Sequence, residues 1–285
     1  MRRGLALVTV VALVAVGAFA ATAWIAGGEG TPAETATTPP PLARLRIIFP
    51  EGFTVREMAE RVAAVRQIAI AKRGVTPRLT REGYLRAVER AVPPSRFRKD
   101  VHRDSMEGFL FPASYEFTQQ TTAQELVADQ LRAFRQRFRT VDLSYARSKN
   151  LTPYDVLVIA SMIEKETAVP RERRLVSAVI YNRLRNRMPL GIDATIRYGL
   201  DIPGTESLTK AALRSHSPYN TRVHTGLPPT PIANPGLASI RAAANPARGV
   251  DYLYYVRKPK SLAHYFTASE SDFLRKVCQY GYACD

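Results

Sequence analysis

Two glutamates, Glu164 and Glu166, stand either side of a lysine in the run VIASMIEKETAVPRERR (residues 158–174), directly after a string of aliphatic residues. A carboxyl group beside an apolar face holds its proton more tightly because desolvation disfavours the charged form, which is what a general acid near neutral pH needs. On a helix turning about 100° per residue, Val156, Ile159, Ala160 and Ile163 form one stripe while Ser161 and Lys165 point away from it. The acids flank that stripe on opposite sides, Glu164 toward Ser161 and Glu166 toward Met162. Phase therefore favours Glu166 as the acid in less polar surroundings. The competing reading makes both surface residues, paired with Arg171, Arg173 or Arg174, and this helix alone leaves it open.

A second chemistry-bearing stretch is SPYNTRVHTGLPPTPIANPG, 20 residues holding five prolines and two glycines. Such a segment is neither helix nor inner strand, and a long stiff loop inside a compact domain is a candidate for function. Its Tyr219, Asn220, Thr221 and Asn234 have the donors and acceptors to meet sugar hydroxyls and amides. Before it, a basic helix is expected to end near Pro189 and a loop to carry Asp193, Thr195 and Tyr198. The four histidines, His102, His216, His224 and His264, are scattered, and no HExxH or CxxC occurs. No metal site and no cofactor are expected. Walker, GxGxxG and GxSxG motifs are also missing from the sequence, which leaves phosphate cradles and a nucleophile elbow unsupported. Cys278 and Cys284 have the spacing of a small disulfide loop in an oxidising compartment; two thiols on a frayed tail is the equal alternative.

The elements that must position these residues begin with the amino-terminal stretch. After Arg2 and Arg3, every residue from Gly4 to Gly28 is uncharged and mostly aliphatic, long enough to cross a hydrocarbon core of about 30 Å. The arginines precede it and Glu29 and Glu34 follow, so the positive-inside rule puts the rest of the chain on the extracytoplasmic side of the cell membrane as a single-pass protein. A cleavable signal ending near Ala20 is the alternative. The chain carries 41 Lys and Arg against 25 Asp and Glu, a formal charge of +16, which favours an anionic partner. Beyond a membrane, nucleic acid is not expected.

Residues 29–43 read as a Pro/Thr-rich linker. Order is expected near Arg44, where LRIIFPEG gives a short strand and TVREMAERVA opens a helix capped by Thr54 and Glu57. A second helix starts near Thr80, and a third is capped by Thr122 and Glu125. Between them MEGFLFPASYEF is aromatic and turn-rich. Toward the end, ASIRAAANPA reads as a last short helix, and DYLYYVRK with AHYFTAS as a hairpin. The pattern is α+β.

The segments ASMIEKETAVPRERRLVSAVIYNRL, IDATIRYGL, SPYNTRVHTGLPPTPIANPG and YLYYV…HYFT resemble, in order and nearly in spacing, the endolytic murein transglycosylases of the MltG/YceG-like family. The resemblance covers residues 44 to 275 and is most specific over 158 to 266. EGFLFPASYEF is similar to the segment before that family's catalytic domain, and LRIIFPEGFTVREMAERV to part of its LysM-like module. It implies four parts: a cytoplasmic tip and transmembrane anchor (1–28), the linker (29–43), a LysM-like α+β module (44–105) and a mainly helical YceG-like catalytic domain with a β-hairpin (106–285).

The resemblance further implies a peptidoglycan lytic transglycosylase, a lyase, that cleaves the MurNAc-β-1,4-GlcNAc bond within glycan strands and leaves 1,6-anhydro-MurNAc ends. Its essential acid carries over onto Glu166. The supporting cleft residues carry over onto Asp193, Tyr198, Tyr219, Asn220, Tyr254 and His264, with His264 facing the cleft beside Tyr254. Its partners would be glycan strands, the cytoplasmic membrane and peptidoglycan synthases. Two departures stand out: room for a single LysM-like unit, and Ala194 where the family usually has proline. A muramidase that hydrolyses with water, using Asp193 or another acid as the second group, and a non-catalytic wall-binding protein are the competing readings.

Overall fold

The computed structural model describes residues 43–101 and 105–282. The expected anchor at Gly4–Gly28, nearly all of the linker and Cys284 lie outside them. Among the described residues no helix is long and apolar enough to cross a membrane.

Strand β1 (Leu45–Ile48) runs into α1 (Val55–Arg73) through a turn at Gly52, whose φ of +80° suits a residue without a Cβ. Thr54 and Glu57 close the expected capping box at the start of α1. Helix α2 (Arg81–Glu89) follows, with the Thr80 side chain accepting from the Gly83 N–H. Strand β2 (Ser114–Phe117) then pairs antiparallel with β1, Leu45 opposite Phe117 and Ile48 opposite Ser114. Residues 44–105 thus complete their sheet with a strand from beyond residue 105. They share one core with it, Phe49 packing on Tyr84 and on Tyr115 with ring centroids 6.1 Å apart in each pair.

Helix α3 (Ala123–Phe138) starts at the expected Thr122–Glu125 box, and the short α4 (Ser144–Ser148) leads to α5 (Pro153–Glu166). A further box, Thr152 with Asp155, and proline at the first turn fix where α5 begins. Helix α5 lies in the buried core of the described residues. Val156 through Ile163 are all buried, so Ser161, opposite the apolar stripe, is as enclosed as the stripe itself. Its hydroxyl donates to Val158 O at 2.7 Å and accepts from Ile232 N at 3.0 Å, which satisfies a polar group inside the core. A cluster of Phe97, Phe109, Phe134, Phe138 and Tyr154 packs beside it, with Phe97 and Phe138 4.9 Å apart and edge-on.

A 3-10 turn at Pro170–Glu172 leads into α6 (Arg173–Arg185), followed by α7 (Asp193–Leu200), α8 (Lys210–Leu213) and α9 (Leu237–Ala244). Strands β3 (Tyr254–Arg257) and β4 (His264–Thr267) form the expected hairpin, and α10 (Glu270–Gln279) closes the order. Three expectations change. Asp193, Thr195 and Tyr198 sit on a helix, not a loop, because Thr195 and Ile196 bury one face of a short amphipathic turn. The basic helix stops at Arg185, with Asn186 as its C-cap and Arg187 at a φ of +53°. Helix α9 is not the last, since α10 follows the hairpin. The architecture is α+β and mostly helical, as expected, with two two-stranded sheets among the described residues.

The proline-rich segment before α9 enters the interior. From Thr230 to Gly236 every residue is buried, so its backbone groups need protein partners. Asn234 supplies several: its N–H donates to Phe53 O, its carbonyl accepts from Gly52 N, and its Oδ1 accepts from Leu110 N, each at 2.9 Å.

Candidate active site

Glu166 is the last residue of α5, where the helix ends against the hairpin. The Tyr255 hydroxyl donates to Glu166 Oε2 at 2.9 Å. Burial pushes the Glu166 carboxyl above the usual glutamate range, against the Tyr255 hydrogen bond, which favours the charged form. Asp193 pushes it further up, while His264 and Arg222 pull it down. Tyr255 thus bonds this acid, and the other three act on it through their charges.

Each is held in place. Asp193 is the first residue of α7, and its Oδ1 accepts from Arg222 Nε at 2.9 Å and Nη2 at 2.7 Å. Arg222 is carried by the proline-rich loop, where its own N–H donates to Asn220 Oδ1 at 3.0 Å. The Asn220 amide in turn donates to Ser215 O at 2.8 Å and Leu213 O at 3.1 Å. His264 meets Glu172 through Nδ1 at 2.8 Å, and its backbone N–H donates to both Glu172 oxygens at 3.1 Å. Both side chains of that pair are nearly enclosed, at 9% and 6% exposure. The imidazole lies edge-on to the Tyr255 ring with centroids 5.4 Å apart.

The hairpin register decides which tyrosine reaches the acid. Tyr255 opposes Phe266 and Arg257 opposes His264, so those four side chains share one face. Tyr254 opposes Thr267 on the other face, where its ring stacks on Phe273 of α10 at 5.2 Å and lies under Arg183 at 5.1 Å. The expectation that Tyr254 stands beside His264 is therefore corrected: strand alternation puts Tyr255 there. That alternation is readable in YLYYV once the pairing is known, and the pairing is what the sequence withholds.

The remaining expected residues form a supporting wall. Tyr198 and Tyr219 meet edge-on at 5.2 Å, the Tyr219 hydroxyl pairs with Thr230 Oγ1 at 2.8 Å, and Tyr198 OH donates to Glu107 Oε2 at 3.3 Å. Thr221 Oγ1 accepts from Ile192 N at 3.0 Å at the start of α7. Asn220, Thr221 and Asn234 are buried and bonded within the protein, so they shape the loop and do not stand out toward solvent. Sequence reasoning passed over Tyr255, Glu172, Arg222 and Glu107.

Glu164 leaves α5 on the other side. Its Oε2 accepts from Gly236 N at 2.9 Å, ahead of α9, and its Oε1 lies 3.9 Å from Arg173 Nη2. One of the three arginines in the surface-pairing alternative is thus beside Glu164, while Glu166 faces the tyrosine. A cavity of about 570 Å³ between α4, α6 and residues 246–251 is lined by none of these acids.

Sequence comparison decides the kinship. The model of the YceG-like family matches residues 33–279. The chain belongs to the YceG-like family. Proteins named endolytic murein transglycosylase from Streptococcus pneumoniae and Bacillus subtilis are 32% and 31% identical to it, over 89% and 75% of this chain. Those matches cover 46% and 59% of the relatives, so the chain spans about half the length of the curated relatives it matches. A crystal structure of a YceG-like protein from Listeria monocytogenes superimposes with a TM-score of 0.66 at 26% identity, covering 81% of this chain and 75% of that one.

Proposed function

We propose that this YceG-like chain is a membrane-anchored endolytic peptidoglycan lytic transglycosylase, with Glu166 as general acid and then general base. The observation that carries the reading is an acid raised by burial and bonded by a tyrosine hydroxyl, in a chain whose relatives bear the name endolytic murein transglycosylase. With Oε2 accepting from Tyr255, Oε1 is the oxygen that carries the proton. Glu166 passes it to the glycosidic oxygen as the bond from MurNAc C1 breaks. The C6 hydroxyl of the same MurNAc then attacks C1 and returns its proton to Glu166, closing the 1,6-anhydro ring.

The nucleophile belongs to the substrate, so its effective concentration is high and neither a placed water nor a second carboxylate is demanded. That matches the surroundings. Asp193 is engaged by Arg222, and Glu164 points to Gly236. A retaining or inverting glycosidase would need a second carboxyl about 5–9.5 Å from the first and free to act. Asp193 is the acid through which a hydrolytic muramidase would work. In the same reading, Gly4–Gly28 anchors the chain with its bulk outside the cytoplasm, and residues 44–105 are a LysM-like unit fused to the catalytic core. Product analysis of purified glycan strands tests the reaction: anhydro ends support it, reducing ends favour the muramidase, and no soluble fragments favour a wall-binding protein.

A further inference from the structure

One buried carboxyl takes no part in that reaction. Glu107, in the turn before β2, is 3% exposed. Val55 N donates to both of its oxygens at 3.1 Å, Asn234 Nδ2 donates to Oε1 at 2.7 Å, and Tyr198 OH donates to Oε2 at 3.3 Å. The donors come from three separate places: the first residue of α1, the interior proline-rich loop, and α7. Helix α7 begins with Asp193, the carboxylate that acts on Glu166. Tyr198 also meets Thr230 of the same loop. A carboxyl so enclosed costs desolvation energy unless its partners compensate, and here the partners are the parts that must stay in register around Glu166.

We propose that Glu107 is a positioning residue of the candidate active site: through Tyr198 and Asn234 it fixes α7 and the interior loop, and with them Asp193 beside Glu166. Its protonation state matters to that task. Burial pushes the carboxyl up to about 8, opposed by the bonds from Val55 and Tyr198 and by Lys165 of α5, and reinforced by Glu57 of α1. Tyr84 of α2 also feels its charge. Near neutral pH the group is mostly protonated, and as pH rises through about 8 a charge enters the joint against burial, which the donors only partly offset.

Glu107→Gln keeps the shape and cannot ionise. Amide exchange of α7 and turnover are measured from pH 6 to pH 9 in the full-length protein and in Glu107→Gln, with exchange corrected for its intrinsic pH dependence. The prediction is that α7 protection in the wild type falls relative to Glu107→Gln by up to about tenfold per pH unit between pH 6 and pH 8 and levels off above pH 8. The ratio of Glu107→Gln to wild-type turnover should rise between pH 7 and pH 9, as the native carboxyl ionises. Tyr198→Phe should abolish the pH dependence of α7 protection while leaving the melting temperature within a few degrees. Equal protection of α7 in wild type and Glu107→Gln at every pH overturns the proposal. The turnover arm rests on the transglycosylase reading and the exchange arm does not, so a wild type that releases no fragments would refute that reading and leave the exchange result to decide this one.

Discussion

Glu166 and Glu164 are separated by one residue, and their surroundings make them different acids. Glu164 accepts an N–H ahead of α9 and lies near Arg173, so its oxygens are engaged within the protein. Glu166 has burial against it and a single tyrosine hydroxyl on one oxygen. Glu166→Gln should therefore fold and lose at least about 10²-fold in turnover, the low end for acid–base catalysis. Glu164→Gln, whose amide oxygen still accepts from Gly236 N, should stay within severalfold of wild type. Tyr255→Phe removes a bond that favours the charged form of Glu166, so its pKa should rise further. The alkaline limb of kcat/KM should then move to higher pH by about one unit, the scale of a hydrogen bond to a charged group. An unmoved limb would show that Tyr255 does not tune the acid. Helix phase alone leaned toward Glu166, because periodicity reports which side of a helix a residue takes. It could not show Tyr255, since that contact joins residues 89 positions apart.

Among the elements, helix starts were the most legible part of the fold. The Thr54–Glu57 and Thr122–Glu125 boxes are local bonds between near neighbours, and their residue types announce them. Helix α7 was not legible, because its eight residues lack a side-chain cap and its Thr195 and Tyr198 are tied to distant partners, Thr221 of the proline-rich loop and Glu107. The hairpin was found, but its facing was not, for register belongs to the pair of strands. Its seating rests on Glu172, at the junction of the 3-10 turn and α6, which receives both the backbone and the ring of His264. Glu172→Ala leaves those donors unpaired in a nearly closed site, a cost of about 1–3 kcal/mol. At about 2–4 °C per kcal/mol for a chain this size, the melting temperature should fall by several degrees, and turnover per folded molecule should fall with it as Tyr255 loses its support. Unchanged turnover in the folded fraction would restrict Glu172 to a structural role.

At the scale of the whole molecule, one core joins residues that the sequence divided at 105 and 106, and Glu107 lies within that join. An acid whose pKa is higher folded than unfolded binds its proton more tightly in the native chain. Its contribution to stability is full below its ordinary value of 4.5 and is lost as pH rises through about 8. Chemical denaturation midpoints should therefore decline over that window, and Glu107→Gln should flatten the decline. The proposed anchor makes its own prediction: the full-length chain should stay with membranes after alkaline carbonate and be shaved from outside spheroplasts, and a mature amino terminus near Ala21 would contradict it. The central claim is that one acid, with the substrate's own hydroxyl as nucleophile, performs the cleavage. Mass analysis of fragments released from uncrosslinked glycan strands tests it most directly. The account predicts chains ending in 1,6-anhydro-MurNAc, one water lighter than hydrolysis products, and none from Glu166→Gln; reducing ends as the main product, or full release by Glu166→Gln, would contradict it.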